Sequence, residues 1–469
     1  MRMSHPFERS VTPSRSVISR RGFLGGAAAL AAAPLLAACG SSGGAASTTP
    51  AGTTTTGATG TGGAAGATSA PTTSLATGDK VLTIATNGMS DALLQFIQTN
   101  GADPIGAKLQ LLVIKNFPAD IVSAQQAGNS PDIVQYPSDS AATLLNAGVK
   151  LDALNDRLAG VDQTDFYPQD SQAGTIKGNV YALAWGPGTR VIVYRKDYAA
   201  NNGPVPDSWT PDEFGAWAAH MNASGRYTFG WETKTGDGRA ASNIQPLLWS
   251  AGGALVTGDP GSYQLGFTAD QVQKVMQFYY DMINKYKIAP KDVAGWGYQD
   301  TDGGFAKGTL AAFSTGPFVR SQVAQVPDVY NNLGTAPIPN LGTPKTYWES
   351  QSWMMHSDSQ KKDLVWQFIQ QTRTTEYQTA QLARQNNGWL SVRRSLNATI
   401  GDKDPFIGFF AKTLEYAQVA APIAVQPWMD KLFFPAMQEI ALKGSTPDQV
   451  TATLMKSAPD VLADTNAGS

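Results

Sequence analysis

Apolar and polar positions alternate over three short runs early in the folded part of the chain. Residues 80–86 (Lys-Val-Leu-Thr-Ile-Ala-Thr) are rich in apolar and β-branched side chains, close on Asn87-Gly88, and give way from Ser90 to apolar residues at helical spacing. That order predicts strand, turn, helix. Runs at 109–115 and 132–136 repeat the pattern with helical stretches between them, which predicts an α/β fold with a largely parallel sheet covered by helices. Ligands of such sheets collect at the carboxyl ends of the strands, so the loops after Thr86 and Tyr136 become candidate binding loops. Further on, Thr210-Pro211-Asp212-Glu213 and Thr446-Pro447-Asp448-Gln449 each place a capping Thr, a Pro at the first helical position and an acid or amide three residues after the cap. Both are helix starts. Val272, Val275, Met276, Tyr279, Ile283 and Tyr286 recur at helical spacing after Thr268, and Trp366, Phe368 and Ile369 mark another helix; both stripes read as core packing.

The first 78 residues do not alternate in this way. Ser19-Arg20-Arg21-Gly22-Phe23-Leu24 leads into an Ala/Gly/Leu run that ends at Leu36-Ala37-Ala38-Cys39. The paired arginines resemble a twin-arginine export signal, and Leu-Ala-Ala-Cys resembles the lipobox at which bacterial lipoproteins are cut and diacylated. Gly25 stands where the twin-arginine pattern often has Lys, so the general secretion route stays open. The apolar stretch 22–38 is short for a membrane span. Residues 40–78 are almost entirely Gly, Ala, Ser, Thr and Pro, with no charge before Asp79, a composition that cannot bury enough apolar surface to order itself. Residues 1–38 are therefore expected to be a signal peptide and 39–79 a disordered linker, lipid-anchored through Cys39 to the outer face of the bacterial cytoplasmic membrane. Gly40-Ser41-Ser42-Gly43-Gly44 matches the Gly-x-Ser-x-Gly of hydrolases, but with no strand before it and no helix after it the match is chance.

Removing the five Arg and one Glu of residues 1–38 from 35 basic and 37 acidic side chains leaves 30 and 36, a net charge near −6. A mildly acidic exported body has no electrostatic reason to bind nucleic acid or an anionic membrane surface. Cys39 is the only cysteine, and a thioether there excludes disulfides, thiol nucleophiles and cysteine metal sites. The roughly 390 residues after the linker suffice for two domains with their own cores.

Sites of covalent or metal chemistry are hard to find. His220 and His356 stand in unrelated contexts, and there is no His-Glu-x-x-His, phosphate-cradling loop or dinucleotide fingerprint. No metal or cofactor is expected. Asp139, Glu232, Asp237 and Glu349 leave open a pair of glycosidase-type carboxylates. More suggestive are the aromatic residues beside Gly, Pro, Ser or Asn: Tyr136, Trp185, Trp231, Trp296, Phe318, Trp348, Trp389 and Trp428. Aromatic faces cover the C–H face of a sugar ring, while Asp, Asn and Gln take its hydroxyls.

Four stretches together resemble the extracellular solute-binding proteins of family 1, the maltose-binding type that serve ABC importers. They are Gly128-Asn129-Ser130-Pro131-Asp132-Ile133-Val134 through Asp139 to Gly148; Val180-Tyr181-Ala182-Leu183 through Arg195 to Pro206-Asp207-Ser208-Trp209-Thr210; Phe305-Ala306-Lys307-Gly308 through Gly316-Pro317-Phe318; and Asn387-Gly388-Trp389-Leu390-Ser391-Val392-Arg393. The resemblance implies a two-lobe periplasmic-binding-protein-like fold of class II type. A hinge near 188, 350 and 400 would separate lobe 1 (80–187 and 352–400) from lobe 2 (188–351 and 401–469), with the ligand in the cleft between them. It implies a monomeric binding protein, not an enzyme, that captures a sugar or oligosaccharide and delivers it to the transmembrane subunits of an ABC permease. Asp139 matches an acid that accepts ligand hydroxyls, Tyr136 a neighbouring aromatic and Phe318 a residue that stacks on a sugar ring. Trp348, Glu349 and Ser350 match the place where the chain crosses back between lobes. Asn87, Trp185, Trp231, Asn243 and Trp389 complete the expected ligand contacts. Phe318 replaces the more usual Trp, Leu390-Ser391 the usual Leu-Pro, and Gly188 an acid of the maltose type. Alternatives are a polyamine-like cation, met by Asp139, Asp237 and Glu349 around an aromatic box; a phosphate ester, met by Arg190, Arg239 or Lys234; and, in another class, a lipoprotein glycoside hydrolase or lyase.

Overall fold

The computed structural model describes residues 78–384 and 386–468. The twin-arginine stretch, Cys39 and nearly all of the expected linker lie outside the described residues.

The chain opens with β1 (Val81–Thr86), α1 (Asp91–Ile97), β2 (Lys108–Val113), α2 (Ala119–Gln126), β3 (Ile133–Pro137) and α3 (Ser140–Asn146). β1 is the middle strand, parallel to β2 on one side and β3 on the other. Alternate residues point to opposite faces of a strand, and both faces here are buried. Leu82, Ile84, Ile133 and Trp353 meet Phe368 on one side; Ala85, Val134 and Met354 meet Leu144 on the other.

β4 (Leu183–Thr189) runs almost straight into β5 (Val191–Arg195), with Arg190 at the junction. The second lobe adds α4 (Pro211–Ala219), β6 (Tyr227–Gly230), α5 (Ala241–Ser250), α6 (Ala269–Asn284), α7 (Tyr298–Lys307), β7 (Leu310–Thr315) and β8 (Leu333–Ala336). β9 (Thr346–Met355) then returns to the first lobe, followed by α8 (Lys362–Gln371) and α9 (Thr375–Ala383). α10 (Pro405–Thr413) packs on the second lobe through Phe406, Ile407 and Phe410 against Val191, Val193 and Phe313. The first sheet has the order β10-β9-β3-β1-β2, where β10 is Ala417–Gln418, and β4 also pairs with β9. The second has the order β8-β5-β7-β6.

The sheets are mixed rather than largely parallel. β9 is antiparallel to both β3 and β4, and β5 to β7 and β8. The cause is the crossing itself: a strand that comes back from the other lobe enters the first sheet from the opposite end.

Both capping expectations correspond to real helix starts. Glu213 Oε2 accepts from Thr210 N at 2.7 Å, and Gln449 Oε1 from Thr446 N at 2.9 Å. In α6 the stripe from Val272 to Ile283 is buried, but Tyr286 lies beyond the helix and donates its hydroxyl to Asp212 at 2.9 Å. A Cβ on Gly215 would come within 2.3 Å of the Tyr286 ring, so this packing requires glycine there.

Candidate functional site

A cleft of about 520 Å³ lies over the strand crossings and is lined from both lobes. The ends of the parallel strands supply the first wall. Asn87 follows β1, and Tyr136 stands next to last in β3 with its ring stacked on Phe117, 4.3 Å between centroids and 24° from parallel. Burial, helped by Asp120, pushes the Tyr136 hydroxyl up to about 12, so it stays protonated and can both donate and accept.

Asp139 is the first residue of the loop between β3 and α3 that can meet a ligand with a charge. It precedes α3, yet its side chain makes no capping hydrogen bond. Oδ2 instead accepts the Tyr347 hydroxyl at 2.7 Å. Burial raises its pKa; the Tyr347 hydrogen bond lowers it, Glu349 raises it further and Arg190 lowers it. The net direction is upward. Tyr347 is pushed well above the usual phenol range by burial and by Asp139, which keeps it a donor. Its ring lies nearly parallel to Trp249, 5.6 Å between centroids. Behind Asp139, Ser138 Oγ lies 2.6 Å from Ser350 Oγ and 2.5 Å from Ser352 Oγ, tying the loop to β9.

The floor is the crossing at Arg190. Its backbone N–H donates to Thr346 Oγ1 at 3.0 Å, and that hydroxyl donates back to the Arg190 carbonyl at 2.5 Å. The guanidinium binds both oxygens of Glu349, with Nη2 to Oε1 at 3.1 Å, and donates through Nε to Ser242 at 2.8 Å. It also lies 5.2 Å from the Phe318 ring centre. Gly316 makes room for both: a Cβ there would lie 2.4 Å from the Phe318 ring and 2.6 Å from Arg190 Nη1. Gly188, where the maltose type carries an acid, pairs across the strands with Glu349 and would bring a Cβ within 3.2 Å of Pro317. A side chain at 188 would therefore have to push Pro317 back by a few tenths of an ångström, and Glu349 opposite places a carboxylate beside this position.

The second lobe contributes Tyr298, 46% exposed, with the Arg239 guanidinium 5.3 Å from its ring centre. Arg239 donates to Glu232 at 2.7 Å and to both oxygens of Asp302 at 2.8 and 3.0 Å. Its Nη2 also reaches Thr301 Oγ1 at 2.7 Å and the Tyr298 carbonyl at 3.1 Å. Asp237 accepts from the backbone N–H groups of Arg239 and Tyr298 at 2.9 and 2.6 Å. Burial and the neighbouring Glu232 carboxylate raise its pKa.

Seven of the expected residues line this cleft: Asn87, Tyr136, Asp139, Phe318, Trp348, Glu349 and Ser350. The structure does not bring Trp185, Trp231, Asn243 and Trp389 to it. Trp185 is 1% exposed in the first core and stacks on Trp353 at 5.5 Å; Trp231 packs on Tyr279 at 4.8 Å in the second. Asn243 donates to buried Glu232 at 2.9 Å. Trp389 backs the cleft, 5.8 Å from the Phe318 ring and against Gly186. Phe117, Ser242, Tyr298, Gln322 and Tyr347 also line the cleft and went unnoticed in the sequence. Phe117 was within reach, because it follows the second parallel strand as Asn87 follows the first, while Tyr136 stands near the end of the third. Tyr347 adjoins Trp348, whereas no local pattern marks Tyr298. Among the described residues, no group of three or more His, Cys, Asp or Glu is disposed to hold a metal ion, and no helix is long and apolar enough to cross a membrane.

Residues 117–402 match the family model described as bacterial extracellular solute-binding protein. The chain belongs to that family. A binding protein of Brucella abortus strain 2308 is 23% identical over 293 residues, 61% of this chain and 69% of the relative. Among solved structures, an ABC transporter solute-binding protein of Thermotoga lettingae bound to α-D-tagatose has a TM-score of 0.69 at 20% identity, covering 82% of this chain and 100% of that one. Maltose-bound MalE3 of T. maritima has a TM-score of 0.67 at 19% identity, covering 81% and 99%. UgpB of Mycobacterium tuberculosis with glycerophosphocholine has a TM-score of 0.67 at 19% identity, covering 82% and 98%. The fold of this family member is the two-lobe α/β architecture of those binding proteins.

Proposed function

We propose that this family member is the substrate-binding component of an ABC importer and that its cleft captures a sugar or short oligosaccharide. The observation that carries the reading is the pairing, in one cleft, of aromatic faces from both lobes with polar groups of fixed direction. Phe117 and Tyr136 stand on one side, Tyr298 and Phe318 on the other, and Asp139 and Tyr347 at the floor. The volume suits a small ligand. Sugars in two of the similar structures support the same class.

Asn87, Tyr136, Asp139, Phe318, Trp348, Glu349 and Ser350 contact the ligand in this reading, while Trp185, Trp231, Asn243 and Trp389 support them from behind. Contacts from both lobes favour the closed form over the open one, so binding closes the hinge at Arg190 and β9. No bond is made or broken. Glycoside hydrolysis needs two carboxylates free to act on either side of the scissile bond, and Glu349 is instead held by the Arg190 fork. The lipid on Cys39 and the linker hold a monomer on the outer face of the cytoplasmic membrane, within reach of the permease.

Thermal-shift screening against mono- and disaccharides, followed by calorimetric titration of each hit, tests the reading. A sugar present at about 100 times its Kd adds roughly 2.7 kcal/mol of stability. Stabilisation by no neutral sugar, or release of cleaved product from a bound oligosaccharide, overturns it.

A further inference from the structure

Two guanidinium groups line the cleft, and carboxylates of the protein itself occupy both. Arg190 gives its fork to the two oxygens of Glu349 and its Nε to Ser242. Arg239 gives one arm to Asp302 and the other to Glu232, Thr301 and the Tyr298 carbonyl. A guanidinium binds a phosphate or carboxylate most strongly through two parallel N–H groups of one such fork. Neither fork can offer them.

The carboxylates are not balanced in the same way. Asp139 accepts the Tyr347 hydroxyl but has no ion-pair partner among the described residues. Asp139 and Glu349 are the carboxylates that line the cleft, and Glu349 is taken by Arg190; Glu232, Asp237 and Asp302 lie behind the lining, around Arg239. Lys234 lies outside the cleft lining. An incoming anion would meet Asp139, which has no cation of its own, and two guanidinium forks already taken, whereas a ligand that presents hydroxyl or amino hydrogens finds Asp139 ready to accept.

We infer that the cleft selects neutral or aminated carbohydrate over sugar phosphates and uronic acids, and that Glu349, by occupying the Arg190 fork, is the residue that sets this selectivity. This inference rests on the sugar-binding reading for the class of its ligand, but its charge rule follows from the ion pairs alone. Glu349→Gln leaves a neutral side chain of the same shape that can accept from only part of the fork. Glu349→Ala empties it. In either variant Arg190 remains nearly buried, held by Ser242 and Thr346 through groups other than the fork, and becomes an anion site.

The test uses inorganic phosphate, glucose 6-phosphate and glucuronate beside glucose and maltose, on wild type, Glu349→Gln and Glu349→Ala. Calorimetry measures binding, and melting curves in the same solutions report folding. The wild type should show no phosphate-dependent rise in melting temperature. Both variants should gain about ten- to hundredfold in affinity for phosphate and glucose 6-phosphate, the worth of charge-assisted hydrogen bonds. If loss of Glu349 lowers the melting temperature, phosphate should restore part of it in the variants only. Wild-type binding of glucose 6-phosphate or glucuronate as tight as that of the parent sugar overturns the inference and leaves the sugar reading standing. Variants as blind to phosphate as the wild type overturn the role of Glu349. Failure of every neutral sugar, with the gain of phosphate binding intact, sinks the sugar reading and supports the charge rule.

Discussion

The two polar clusters that face the cleft are built from the same residue types and end in different states. In the second lobe, Arg239 is enclosed by Glu232, Asp302, Thr301 and the Tyr298 carbonyl, and every one of these contacts is internal. At the hinge, Arg190 and Glu349 also satisfy each other, but Asp139 beside them is left with a phenol as its partner. A closed cluster fixes shape; an acid with acceptor capacity left over can bind. The difference explains why charged residues alone are poor guides to a binding site, since most of those here are neutralised by their neighbours.

Breaking the closed cluster should have the largest effect. Arg239→Ala leaves Glu232, 1% exposed, and Asp302 without their cation, and removing one partner of a buried pair costs about 3–5 kcal/mol. Urea unfolding should show that loss. A change below about 1 kcal/mol, the worth of a surface pair, would mean that the cluster is not closed.

Opening the hinge cluster should act on affinity instead. Asp139→Ala is expected to weaken sugar binding by roughly one to two orders of magnitude, because hydrogen bonds to a charged group contribute about 1.5–3 kcal/mol. Asp139→Asn should lose less with a neutral sugar, since it keeps one acceptor. Calorimetric titration separates the two variants, and unchanged affinity in both removes Asp139 from the site. Because its side chain does not cap α3, no cap-sized loss of stability should accompany either change.

A smaller effect distinguishes cleft aromatics from core aromatics. Phe318→Ala should weaken binding by about tenfold or less, in line with roughly 0.5–1.5 kcal/mol for an aromatic contact. Trp185→Phe should leave affinity alone and lower the melting temperature, because its ring fills the first core against Trp353. Loss of affinity in the Trp185 variant at constant stability would move that residue into the site.

The smallest effect is a dependence on pH with opposite signs for stability and affinity. Burial raises the folded-state pKa of Asp139 above its ordinary value of 3.8. Its proton is therefore bound more readily in the folded protein than in the unfolded one. The stability this adds is fully present below pH 3.8 and is lost as pH rises through the raised folded value. Sugar affinity should move the other way, falling as the carboxylate is protonated. Titrations of ligand-free and ligand-bound protein should show the two trends, and Asp139→Asn should abolish both. The same pH dependence in the Asn variant would assign it to another group, such as Asp237 or Asp302, whose pKa values burial also raises.

Much of the first lobe was legible from the chain because its signals are local. Strand, turn and helix follow one another at 81–97, and the strand after Pro131 ends at the loop that carries Asp139; beyond the first lobe, the Thr caps likewise start their helices where expected. Site residues on the ends of those strands, Asn87, Tyr136 and Asp139, were legible for the same reason. The tryptophans were not. A Trp beside Gly or Pro has the same local appearance in a core and in a cleft, and Trp185, Trp231, Trp348 and Trp389 part company only through long-range packing.

What the sequence determined by itself was the alternation of strands and helices, the family and the binding loops at the ends of the first and third parallel strands, because these rest on short local patterns and on their order along the chain. Tertiary structure alone decided the state of each charge. Arg190 meets Glu349 across 159 positions, Asp139 meets Tyr347 across 208, and both meetings follow from the register in which β9 lies between β3 and β4. A shift of one residue would turn Glu349 and Tyr347 to the opposite faces of the sheet. The physical reason is that a side chain's type is local, while its partner is set by the strand that returns beside it.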